Sequence, residues 1–234
     1  MLLVLPIVVA LAALPPAPAP APSGSPKPTP LTEIGRVRAL PACVPIVAHA
    51  NGAITQALDN DRTLGILTNN LHATDFDKLN SMQRRNTIEA MMKQAEQIRN
   101  ASSAGDAEIK KLREYAVNSP DPQRKAELKA FADALGGALY RQNKAAAEFM
   151  RDVTIMRGRE DAAEAHGLMA QANPVPPYAV AQQMVNLPPP LPTPPQTYNK
   201  QMQQMGDVLT DLTQGVLADE GTAADHSIAA TSGC

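Results

Sequence analysis

Between Val44 and Met156 apolar side chains recur every three or four residues, and proline-rich sequence flanks the region on both sides. Residues three and four apart share one face of a helix, whereas strands alternate at two. The recurrence therefore predicts long amphipathic helices. The flanking tracts, PPAPAPAPSGSPKPTP at 15–30 and PVPPYAVAQQMVNLPPPLPTPP at 174–195, populate extended polyproline II and cannot bury a core. The oily faces between them have only each other to cover. About 130 residues suffice for a helical bundle. The expected fold is all-α: an elongated antiparallel bundle of three to five helices with proline-rich disordered linkers.

Composition agrees. Aromatic residues are 3 % of the chain, Trp is absent, and alanine supplies much of the apolar content. Strands draw on β-branched and aromatic side chains, so this mixture favours close-packed helices. A net charge of −2 without a basic block, and so few aromatics, argue against nucleic-acid binding and against stacking on sugars.

Met1 to Leu14 reads MLLVLPIVVALAAL, an uncharged apolar run. It suits the core of a secretory signal peptide and is short for a membrane span. The n-region has no Lys or Arg. Cleavage falls near Ala12 or Ala13, or after Ala19 or Ala21, where small residues frame proline. The expectation is a signal peptide at 1–22, with export to the periplasm, cell envelope or exterior, and membrane contact only through an uncleaved N-terminus. Cys43 and Cys234 are the two cysteines. In an oxidising compartment they are candidates for one disulfide pinning the C-terminus to the start of the bundle. Two free thiols, or an intermolecular bond through the terminal cysteine, are the alternatives.

Residues 23–42 read as a Pro/Ala/Ser-rich spacer and short lead-in, and 43–173 as the bundle. Val47, Ile54, Leu64, Leu67 and Leu71 mark a first helix. Asp61 interrupts its face and Gly52 and Gly65 weaken it, which predicts a kink. Thr74 and Asp75 offer the N-cap of a second helix running to about residue 103, and Asp77 sits three residues after Thr74, as in a capping box. Ser102-Ser103-Ala104-Gly105 reads as a break before a short third helix through Ile109 and Leu112. Asp121 suits an N-cap and Pro122 the first helical position. The helix after them, from 122 to about 165, carries the clearest stripe, Leu128, Phe131, Leu135, Leu139, Gln142, Ala146, Phe149, Val153 and Met156. Gly136-Gly137 within it marks a close helix approach or a bend. Beyond the 174–195 linker, Met202, Met205, Leu209, Leu212 and Val216 define a C-terminal amphipathic helix at 196–220, packed on the bundle or free to bind a partner. Residues 221–234 read as a flexible tail.

Few patterns carry chemistry. Asp59-Asn60-Asp61 opens like a calcium loop, but Leu64 and Asn70 stand where the sharp-turn glycine and the bidentate carboxylate belong. His49, His72, His166 and His226 are scattered, and His72 with Asp75 or Glu164 with His166 lacks di-iron spacing. Met202, Met205 and Met169 are soft ligands in principle, but methionines at three-residue spacing on an apolar face are core filler. Asn100-Ala101-Ser102 fits a glycosylation sequon. Pro188–Pro192 resembles ligands of grooves that read polyproline, but those readers are mainly intracellular, and a stiff spacer is the better account of the segment. Motifs for a nucleophile or a phosphate-cradling loop are lacking.

Leu79-Asn80-Ser81-Met82-Gln83 resembles the Leu-Thr-x-x-Gln helix starts of periplasmic stress chaperones and metal sensors built as helical hairpins, with Asn80 in place of Thr. The likeness covers five residues and implies a ligand-handling hairpin. The residues themselves lead to a non-enzymatic interaction or scaffold module with an unidentified protein partner. Neither catalytic nor cofactor-binding nor metal-binding residues are assigned.

Overall fold

A computed structural model describes residues 29–35, 41–172 and 197–231; within that span, side chains at 159–160 and 162–172 are not described. The described residues form four helices: α1 (Val44–Ala73), α2 (Ser81–Asn118), α3 (Pro122–Ala172) and α4 (Tyr198–Ala230). No strand occurs among them. The predicted all-helical bundle is the observed architecture. The expected signal peptide at 1–22 and the linker at 174–195 lie outside the described residues.

Side-chain pairing fixes the topology. His49 and Asn60 of α1 meet Glu108 and Ser102 of α2, so the partner's number falls as α1 advances. Arg85 and Arg113 of α2 meet Asp161 and Asp133 of α3. Glu127 and Arg141 of α3 meet His226 and Asp219 of α4. Each neighbour is thus antiparallel to the last. α4 closes the ring against α1, and α1 also touches its diagonal partner α3. At 1.5 Å per residue α3 is on the order of 75 Å long, giving the bundle an elongated form.

Local chemistry explains the starts. The Asp121 carboxylate accepts from the Gln123 N–H at 2.9 Å, with Pro122 in the first turn as expected. Three expectations are corrected. First, Thr74 ends α1, and α2 starts at Asn80. The Asn80 side chain accepts from Gln83 N–H at 2.9 Å while Gln83 Oε1 accepts from Asn80 N–H at 3.2 Å. The acidic residues of the intervening turn serve another helix: Asp77 accepts from the Tyr198 N–H at 2.9 Å, and Asp75 from the Asn199 amide at 2.7 Å. Thr197 is the N-cap of α4, and Asp77 adds a carboxylate on the Tyr198 N–H, where negative charge complements the positive end of the helix dipole.

Second, Ser102–Gly105 is no break. α2 runs unbroken through it, with Ser102 and Gly105 turned into the core and Ser103 and Ala104 toward solvent. A Cβ on Gly105 would lie 2.7 Å from Leu139 Cδ1, so glycine is what admits α3 at this level. Third, the tail expected from Gly221 continues α4 to Ala230. Gly221, Ala223, Ala224, Ser227 and Ala230 are buried there, small enough to bring the helix close to its neighbours. The C-terminal helix is therefore a full member of the bundle, not a separate segment.

Residues 29–35 form an extended strap over this end. Asn51 reads its backbone in both directions, accepting from Ile34 N–H at 2.7 Å and donating to Ile34 O at 2.9 Å. The strap lays Leu31 into the core cluster that also holds Ile46, Phe131 and Ala230. Each large apolar side chain buried in this way contributes roughly 1.5–3 kcal/mol.

Candidate functional site

The core is two clusters. One holds Ala57, Ile109, Leu139 and Ala223; the other holds Leu64, Ile98, Ala145 and Leu209. Between them every helix contributes a buried polar residue at one level: Asn60 from α1, Ser102 from α2, Gln142 from α3 and Glu220 from α4. A polar layer across the full section of a bundle is the most unusual feature of the molecule, because a buried polar group is costly unless its hydrogen bonds are made.

Here they are made. Asn60 Nδ2 donates to Ser102 Oγ at 3.0 Å and to Gln142 Oε1 at 2.9 Å. Gln142 Nε2 donates to Ala57 O at 3.0 Å and to Asp61 Oδ1 at 2.8 Å. Those two bonds use both amide hydrogens. Its 3.4 Å approach to Glu220 Oε1 is correspondingly the longest in the layer. Gln142 thus links α3 to α1 and α4 from a position with no exposure at all.

Glu220 is 5 % exposed. Burial first, and then its hydrogen bond to Asp61 and the charges of Asp61 and Asp219, push its carboxyl up to about 9. It is neutral at pH 7 and shares a hydrogen bond with Asp61 across the α1–α4 seam. Asp219 next to it is engaged by Arg141, whose Nε donates at 2.6 Å. This pair passes over glycine on both helices. A Cβ on Gly137 would lie 2.9 Å from Asp219 Oδ2, and one on Gly215 3.3 Å from Arg141 Nη1. Gly137 therefore marks the close approach that the Gly136-Gly137 pair suggested.

Histidines sit on the seams. His49 meets Glu108 at 2.5 Å between α1 and α2, and its ring lies 5.9 Å from that of Tyr115. His226 meets Glu127 at 2.7 Å between α4 and α3. His72 Nε2 stands 3.9 Å from Asp207 between α1 and α4. The three do not converge, and no cluster of three metal-ligating residues occurs among the described residues. The side chains of Glu164, His166 and Met169 lie outside the described residues.

The remaining candidates resolve into packing. Asp59-Asn60-Asp61 is continuous helix, with Asp59 held by Arg62 at 3.0 Å, so it presents no calcium loop. Met202 is fully buried and Met205 packs against the same cluster. The sequon serine, Ser102, is buried in the polar layer. Cys43 is 3 % exposed, adjoins the start of α1 and is disulfide-bonded. Cys234, the other cysteine of the sequence, lies outside the described residues.

Between α2 and α3 the surface opens into a polar groove of about 430 Å³ lined by Arg99, Asn100, Ser103, Asp106 and Asn143 among others. Partial burial raises the Asp106 carboxyl, and the Arg113 charge opposes the rise. A shallower recess of about 300 Å³ lies near the end of α2 at Lys110, Arg113 and Val117. No helix among the described residues is long and apolar enough to cross a membrane.

Sequence reasoning missed the layer as a unit, although its parts were visible. Gln142 stood within an otherwise apolar stripe, and Asp61 read as an interruption. Comparison with protein-family models, with curated proteins and with solved structures finds no match to this chain.

Proposed function

We propose that the protein is a non-enzymatic interaction or scaffold module of the cell envelope or exterior, working through the outer surface of its bundle. One observation carries this reading: the polar side chains brought together inside the molecule are spent on one another. Asn60, Ser102, Gln142, Asp61 and Glu220 close a hydrogen-bonded layer between two apolar clusters. Such a layer fixes the register of helices, as single buried polar residues do in coiled coils. Its effect is to hold four helices in one alignment and so present a fixed outer surface. The uncharged apolar run at 1–14 and the proline tract behind it support placement outside the cytosol.

Crosslinking in living cells with the full chain, followed by mass spectrometry, tests the interaction reading. The expected result is one reproducible partner, crosslinked through surface lysines such as Lys110, Lys111 and Lys129, and lost when those positions carry Glu. Turnover of a small molecule that depends on the Arg99–Asp106 groove would overturn it. For placement, a reporter enzyme active only outside the cytosol, fused after residue 30, is expected to be active; an inactive, cytosolic fusion would remove the export claim.

A second reading, a ligand-handling helical hairpin, draws on the Asn80–Gln83 helix start, which forms a capping box. Submicromolar zinc or copper binding, or suppression of client aggregation, would favour it over the scaffold.

A further inference from the structure

We propose that Asp61 and Glu220 form a proton-dependent clasp between α1 and α4: with one proton between them they join the helices at mid-bundle, and without it they push the helices apart. The geometry carries the inference. The two carboxyl groups come from helices far apart in sequence and meet at the level where the core changes from one apolar cluster to the other. Glu220 is buried, and the groups around it offer no positive charge. From α2 the layer receives the Ser102 hydroxyl, and from α3 the Gln142 amide, both neutral. From α1 it receives Asp61, beside the neutral Asn60. On α4 itself the neighbour is Asp219, which is paired with the Arg141 guanidinium of α3 at 2.6 Å.

Two carboxyl groups in contact in a low-dielectric core cannot both ionise without repulsion that water would otherwise screen. The proton is therefore part of the packing. The elevated value of Glu220, about 9 against 4.5, agrees. Because the folded value lies above the unfolded one, the fold binds the extra proton between those limits. The contribution of Glu220 to stability is complete below about pH 4.5, declines as the pH rises through the window, and is gone above about 9. The seam that weakens is the one holding the helix that follows the 174–195 proline tract.

Equilibrium urea unfolding of the full chain and of Glu220→Gln, followed by circular dichroism from pH 5 to 9, is the test. Gln keeps a donor for Asp61 and cannot ionise. The ratio of the E220Q folding constant to that of the native chain is expected to rise by about tenfold per pH unit across pH 5–8. A flat ratio would overturn the proposal. Asp61→Asn, which removes the repelling charge, is expected to shift the upper edge of the window to lower pH; an unmoved edge would count against the pair. Infrared spectroscopy of the native chain needs no variant. A protonated carboxyl band present at pH 7 and lost above pH 9 supports the clasp, and its absence at pH 7 defeats it. Hydrogen exchange at pH 9, corrected for intrinsic rates, is expected to deprotect Val216–Ala224 of α4 before the amides near Leu112 of α2; equal loss in both would leave no clasp.

Discussion

His72 on α1 lies directly over Gly206 on α4, so that a Cβ at position 206 would stand 2.7 Å from His72 Nε2. The same distance separates a Cβ at Gly105 from Leu139 Cδ1, yet the two glycines differ in what replacing them must displace. The His72 side chain is 39 % exposed and can swing outward, whereas Leu139 is fully buried between helices.

Gly206→Ala is accordingly expected to be close to neutral. Alanine gains roughly 0.8–1 kcal/mol of helix propensity, which offsets the displaced imidazole. Gly105→Ala is expected to cost about 1–3 kcal/mol, because an overpacked core has to shift backbone or adopt a poor rotamer. Urea midpoints of the two variants test the contrast. A larger loss for Gly206→Ala than for Gly105→Ala would contradict the packing described.

Gln142→Leu keeps the volume of the layer while deleting its hub. It strips Asn60 of an acceptor and Asp61 and the Ala57 carbonyl of their donor. Leaving several buried groups unpaired costs on the order of 2–4 kcal/mol. Ser102→Ala removes only the acceptor of one Asn60 hydrogen and is expected to cost about 1 kcal/mol. If thermal unfolding ranked Ser102→Ala as the worse of the two, Gln142 would not be the centre of the network.

At acidic pH a different carboxylate matters. Asp133 on α3 is held below the usual carboxylate range, first by its hydrogen bond to Lys129; burial opposes this, and Arg113 of α2 adds a lesser lowering. Its folded value lies below the unfolded one, so its contribution is present above the ordinary value of 3.8 and is lost as the pH falls through the lower folded value. The group is largely solvated, so Asp133→Asn is expected to cost less than about 1 kcal/mol at pH 7. That difference should shrink at high salt and decrease as the pH is taken down from 3.8. A cost that does not change with salt or with acid would point to packing rather than charge.

Non-reducing peptide mapping is expected to find Cys43 joined to Cys234. Closing so long a loop is worth roughly 4–5 kcal/mol in the chain-entropy account, so reduction should lower the unfolding midpoint markedly. Recovery of both cysteines as alkylated free thiols from unreduced protein would remove the bond.

What was legible in the sequence was local. The three-four recurrence along Leu128, Phe131, Leu135 and Leu139 is a property of one helix, and so is the Asp121-Pro122 start. Neither needs to know what lies opposite. Competing local signals were harder to rank. Thr74, Asp75 and Asp77 offered a cap as good on paper as Asn80 and Gln83, and the choice went to Asn80 because Asp75 and Asp77 are engaged by the start of α4. Ser102 and Gly105 looked like punctuation until Asn60 of α1 and Leu139 of α3 lay against them.

By itself, then, the sequence determined that this region makes amphipathic helices, which follows from side-chain spacing along a backbone with fixed pitch. Only the tertiary structure decided that Asn60, Ser102, Gln142 and Glu220 share one level, that α4 persists to Ala230, and that Glu220 keeps its proton. Those outcomes depend on partners distant in the chain: Asn60 and Ser102 are 42 residues apart, Gln142 and Ala57 85, and Asp61 and Glu220 farther still. Burial and hydrogen-bond geometry between such partners come into being only once the helices have met.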